Sequence, residues 1–242
     1  MFIGTNRKMI VDSFLSRPRI QMIHNALNES LHRYCNQQGH QQIVLDIYPD
    51  CEDGNGTTNY GTDTFTVCFK HDCEEAEFVL AHELLHCKLV LDGATLAIRL
   101  QSEPSPITQF VWNLLRRSIT HHALIVTFQE LYGYSFELRK FALPLSLLSC
   151  EPDPTLIEQH GLDERAFLLC LIGKRLFIYD ENADNLLRSR VRKKGLEKLY
   201  DRICGEFPDG VDPINYVNAL SQEVILTMGM EKEIKLVNLA DS

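Results

Sequence analysis

His82, Glu83 and His86 are the residues of this 242-residue chain whose types and spacing fit them for chemistry at a metal ion. In His82-Glu83-Leu84-Leu85-His86 the histidines stand four residues apart, so on a helix both imidazoles project from one face and can grip one cation. Glu83 sits one position round from that face. Its carboxylate therefore reaches a water held at the metal, and not the metal itself, which is the place of a general base. The chemistry implied is hydrolysis, with zinc as the cofactor that suits imidazole ligands and an open coordination position.

These side chains need a rigid carrier, and the flanks supply one. From Glu74 to Leu91 the chain opens with acidic residues, continues through an almost unbroken apolar run and meets Asp92-Gly93 as a stop, which predicts a helix. Its apolar positions cover most of the circumference, so the histidines and Glu83 ride on a largely buried element. Burying two imidazoles and a carboxylate without partners is costly, and a bound metal is the economical explanation.

The stretch Val79-Leu80-Ala81-His82-Glu83-Leu84-Leu85-His86-Cys87 resembles the extended signature of zincin-type metallopeptidases, with a β-branched residue three before the first histidine and uncharged residues around the motif. Lys88 stands where that family usually carries an apolar residue. The resemblance covers about a dozen residues. It implies zinc held by His82 and His86, water activated by Glu83, and a third ligand from further along the chain.

Four residues compete for that third place. The metzincin pattern takes it from the sixth residue after the second histidine, here Asp92, but has a glycine midway where this chain has Leu89. The better source is a helix predicted from Gln109 to Leu131. There His122 shares a face with Val111, Leu115, Ile119, Ile125 and Val126, and it is the first choice as ligand. His121 and Glu130 remain alternatives; a glutamate would give a gluzincin-like set, a histidine an all-imidazole one. Tyr132 and Tyr134, just beyond, could offer an oxyanion-stabilising hydroxyl, though ordinary packing is the simpler role.

Composition narrows the remaining classes. A formal charge of −9 argues against a nucleic-acid binder, since phosphate neutralisation needs a basic surface. The one basic cluster, Arg188, Arg190, Arg192, Lys193 and Lys194, reads as a solvated helix end or partner contact. No signal peptide or membrane span is legible, so a cytoplasmic protein is expected, with its eight cysteines mostly free thiols. Cys68 and Cys73 have the spacing of half a structural metal site but lack a matching pair. Asp50 to Gly56 reads as an acidic turn, not a calcium loop, for want of the later bidentate glutamate.

Residues 7 to 37 predict one or two helices broken near Arg17-Pro18, with Ile20, Ile23, Leu27 and Leu31 at helical spacing. Gln41 to Tyr48 and Thr62 to Phe69 predict strands. The expected fold is α+β and zincin-like, predominantly helical, with a small sheet packed on the motif helix. If Thr62 to Phe69 is the exposed sheet edge, a polypeptide can add there as a further strand. Prolines between Leu143 and Pro154 mark an expected boundary, giving a metallopeptidase domain over 1–150 and a mainly helical region over 151–242, with helices at Ala166 to Leu176, Leu186 to Cys204 and Pro213 to Leu226.

The expectation is thus a cytoplasmic zinc metallopeptidase acting on a polypeptide, with one specific regulatory protein as the narrower candidate, since some zincin-like bacterial proteins act on a regulator. The alternative is a non-catalytic regulatory or partner-binding module that retains the metal site as a structural device.

Overall fold

A computed structural model describes residues 3–37, 43–51, 56–61, 63–120, 123, 168, 181–204 and 208–238. The protein is mixed α+β, and among the described residues its contacts fall into two units, one built on the chain up to Ala94 together with Asn238, the other on the chain from Thr95 to Val237. The expected boundary at 150–151 lies outside the described residues.

The first unit carries the motif. Helix α1 (Ile3–Leu15) ends before Arg17-Pro18, and α2 (Pro18–Gln37) begins on the proline, whose fixed φ and missing N–H suit a first helical position. Along α2 the buried stripe is Ile20, Ile23, Leu27, Ser30 and Tyr34, alternating steps of three and four; Leu31 is only half-buried. Three strands follow: β1 (Val44–Tyr48), β2 (Gly56–Tyr60) and β3 (Thr64–Phe69). Helix α3 (Ala76–Leu91) comes next, capped where Asp92 and Gly93 turn the chain, the glycine at a φ of 109° that side chains rarely adopt.

Sheet order is β1-β3-β2, with β1 parallel to β3 and β2 antiparallel to it. The expected edge, Thr62 to Phe69, is therefore corrected: β3 is the central strand, and the edge beside α3 is β2, which begins on the glycine expected to end a turn. Strand β3 is central because Phe65, Val67 and Phe69, all buried, form one face under the helices while its backbone pairs on both sides. Helix α3 packs against α2 and against β3 and β2. The core of this unit is Ile20, Ile23 and Leu27 from α2, the three β3 residues, and Leu80, Leu84 and Leu85 from α3. Phe14 of α1 closes it edge-on against Phe69, with ring centroids 5.0 Å apart.

The second unit is mainly helical. Strand β4 (Leu96–Arg99) pairs antiparallel with β5 (Ile234–Val237). Helix α4 (Pro106–Leu114) starts at Ser105, whose hydroxyl accepts the Thr108 N–H at 3.1 Å, and widens into a π-turn over Leu115–Ile119. Val111, Leu115 and Ile119 are buried, as their shared face predicts. The stretch Leu186 to Cys204 is two helices, α5 (Glu181–Lys193) and α6 (Glu197–Cys204), separated at Gly195 with a φ of 70°. Arg188 pairs with Asp201 at 3.0 Å and Arg192 with Glu197, so two of the basic residues spend their charge within the unit. Helix α7 (Pro213–Met228) runs from the Asp212 cap to Gly229. The helix expected at Ala166 to Leu176 lies outside the described residues apart from residue 168. Among the described residues no helix is long and apolar enough to cross a membrane.

Candidate metal centre

The α3 backbone does what the motif spacing requires. His82 and His86 bring their Nε2 atoms to 3.1 Å, with ring centroids 4.7 Å apart and planes at 84°. Two zinc–imidazole bonds of about 2.05 Å at a tetrahedral angle place their nitrogens about 3.3 Å apart, so the observed spacing fits one shared zinc ion. The same spacing suits an N–H···N hydrogen bond between the two rings. Phe78, one turn earlier, lies stacked beside His82 at 6.3 Å. Burial lowers the His82 pKa to about 4, because charging the ring inside the protein forfeits hydration. His82 is therefore neutral at pH 7, and a neutral ring has the lone pair a metal needs.

Glu83 is the one charged side chain among the described buried residues, at 7% exposure. It points away from solvent, under β2. The Thr58 hydroxyl donates to Glu83 Oε2 at 2.6 Å and lies 3.2 Å from the Glu83 carbonyl oxygen. Burial raises the Glu83 pKa to about 7, and the Thr58 hydrogen bond opposes part of that rise. Gly56, two residues before Thr58 on the same strand face, lets the strand approach: a Cβ there would stand 3.0 Å from Glu83 Oε1 and 2.5 Å from Val79 Cγ1. One turn along the helix, the Cys87 thiol is fully buried and pushed well up by desolvation and by Glu83.

Asp92, one alternative for the third ligand, is engaged elsewhere. Its Oδ1 accepts from Ser30 Oγ at 2.6 Å and from Arg33 Nη2 at 3.1 Å, and its Oδ2 from Lys88 Nζ. That carboxylate ties the end of α3 to α2. His122, His121 and Glu130 lie outside the described residues, as do Tyr132 and Tyr134. Among the described residues no group of three or more His, Cys, Asp or Glu side chains gathers as a metal site. Cys68 and Cys73 serve separate acceptors, Cys68 donating to the Asp50 carbonyl at 3.4 Å and Cys73 to the Lys70 carbonyl at 3.1 Å.

Thr58, which hydrogen-bonds Glu83, and Gly56 beside it lie outside every motif of the sequence. Nothing in Gly56-Thr57-Thr58-Asn59-Tyr60 announces a strand or a glutamate partner. An open cavity of about 830 Å³ between α1, α2 and β1, lined by Arg7, His24, His32 and Asp46 among others, includes none of the α3 trio. No family model matches the chain, and no curated protein or solved structure is detectably similar to it.

Proposed function

We propose that this chain is a zincin-like, zinc-dependent peptidase. One observation carries the reading: the Nε2 atoms of His82 and His86 meet at 3.1 Å on a helix whose adjoining face buries the Glu83 carboxylate. Zinc held by these rings and by a third donor, expected from His122, would supply Lewis-acid activation of water and of the scissile carbonyl. The work of Glu83 is to take a proton from that water and return it to the leaving amine. A carboxyl with a pKa near 7 is suited to both directions at neutral pH.

A polypeptide substrate is supported by the edge of β2. The Gly61 N–H donates to the Thr64 carbonyl at 2.9 Å, which fixes the parity of the antiparallel ladder and turns the backbone N–H and C=O groups of Gly56, Thr58 and Tyr60 outward. Among the described residues no strand pairs with that side. An extended peptide added there would run past Glu83, and one specific regulatory protein in the cytoplasm is the narrower form of this proposal.

Zinc analysis and hydrolysis test the reading together. Purified protein should hold about one zinc per chain. Glu83→Gln should keep the zinc and lose cleavage of labelled casein, whereas His82→Ala should lose both. Unchanged zinc and cleavage in His82→Ala ends the proposal. A second reading, a non-catalytic module with a structural metal, is favoured by the near-complete burial of Glu83 and its tie to Thr58. Zinc binding without cleavage of casein or of any co-purifying protein selects it.

A further inference from the structure

A glutamate that must move a proton has to present one carboxylate oxygen in a fixed direction, yet its side chain rotates about three bonds. On α3 the helix backbone sets only where that chain starts. Strand β2 supplies the rest. Thr58 is β-branched and sits in a strand, so few χ1 rotamers are open to it and its hydroxyl is preset. That hydroxyl donates to Oε2 at 2.6 Å, within the range of a short, charge-assisted O–H···O⁻ bond. Two residues earlier on the same strand face, a Cβ at Gly56 would stand 2.5 Å from Val79 Cγ1 and 3.0 Å from Glu83 Oε1, so the bare glycine lets the strand lie close to the helix. One carboxylate oxygen is thereby held.

We propose that β2 is the positioning element of Glu83, with Thr58 as the residue that fixes Oε2 and Gly56 as the residue whose missing side chain lets the strand lie close enough for that contact. The proposal rests on the peptidase reading above and adds to it a residue that touches neither metal nor substrate.

The test compares zinc-loaded full-length wild type, Thr58→Val, Thr58→Ser and Glu83→Gln. Loss of the hydroxyl in Thr58→Val should lower kcat on labelled casein about tenfold with KM within about twofold, because a hydrogen bond to a charged group is lost while binding contacts remain. Thr58→Ser should recover at least about half of the wild-type kcat, and zinc content should not change in either variant. An activity-independent arm uses protein labelled with ¹³C at the glutamate Cδ. The Glu83 resonance, assigned by its disappearance in Glu83→Gln, should move in Thr58→Val and return in Thr58→Ser. If Glu83→Gln abolishes cleavage while Thr58→Val leaves kcat and the Glu83 resonance untouched, the positioning role is overturned and the peptidase reading stands. If wild type holds zinc but cleaves no casein, the carbon resonance alone decides the Thr58 contact. If it holds no zinc, both readings fall.

Discussion

Two neighbouring residues of α3 have pKa values displaced in opposite senses, and the pair has a measurable signature. Burial raises Glu83 from 4.5 to about 7 and lowers His82 from 6.5 to about 4. For Glu83 the folded state binds its proton more tightly than the unfolded state, so its contribution is favourable at low pH and is lost as pH rises from about 4.5 through 7. For His82 the folded state binds its proton less tightly, so stability is gained as pH rises from about 4 to 6.5. In chelator-treated wild type these two trends oppose each other. Removing one exposes the other. Glu83→Gln should therefore become steadily more stable than wild type between pH 4.5 and 7, by about 3 kcal/mol across that window. Urea melts at half-unit pH steps read it directly, and a constant gap between the two proteins would mean that Glu83 is not buried as a charge. The trio itself was legible because spacing alone puts His82 and His86 on one helical face. Thr58 was not, since a threonine in a polar stretch carries no sign of the carboxylate it will meet 25 positions later.

Elements were legible where pattern and punctuation agreed. Helix α3 has an apolar run and a clear stop at Asp92-Gly93, and α2 has Pro18 at its start, so both came through. Strand β3 showed its alternation of Phe65, Val67 and Phe69, but alternation reports which face is buried and is silent on how many strands lie alongside. The same alternation fits an edge strand and the central one that β3 is. The edge beside α3, β2, is five residues with no apolar alternation: its Thr58 meets a glutamate and its Asn59 is exposed. Its fit to α3 depends on the missing side chain at Gly56. In Gly56→Ala the new methyl would stand 2.5 Å from Val79 Cγ1, and valine in a helix has essentially one χ1 rotamer, so the strand or helix must shift. The expected cost is about 1–3 kcal/mol. Gly56→Ala combined with Val79→Ala should be far less destabilised than the sum of the two single changes, the non-additivity that a direct steric contact produces. Additive effects in thermal or urea melts would show that β2 does not press on α3 at this point.

Over the molecule as a whole, class was easier to see than organisation. Helical periodicity broken by two short strand patterns pointed to α+β, and that is what the chain forms. The division between units was quieter. The prolines between Leu143 and Pro154 were conspicuous, whereas the boundary after Ala94 coincides with a helix stop, and a single glycine cannot tell a reader whether it ends a helix or a unit. Two of the α3 side chains point at one position, so a cation bound there should be linked to the stability of the fold itself. Binding to the folded state alone adds RT ln(1 + [Zn]/Kd), about 2.7 kcal/mol when free zinc is one hundred times Kd. In chelator-treated protein, added zinc should therefore raise Tm by several degrees, scaling with zinc concentration. His82→Ala and His86→Ala should abolish the rise, since each removes one of the converging rings. Glu83→Gln should preserve it, because the Glu83 carboxylate is turned to Thr58. His122→Ala should abolish or sharply weaken it if that residue is the third donor, and an undiminished rise there would pass the role to His121 or Glu130. A zinc-dependent rise that survives loss of His82 would place the bound ion somewhere other than between these two rings.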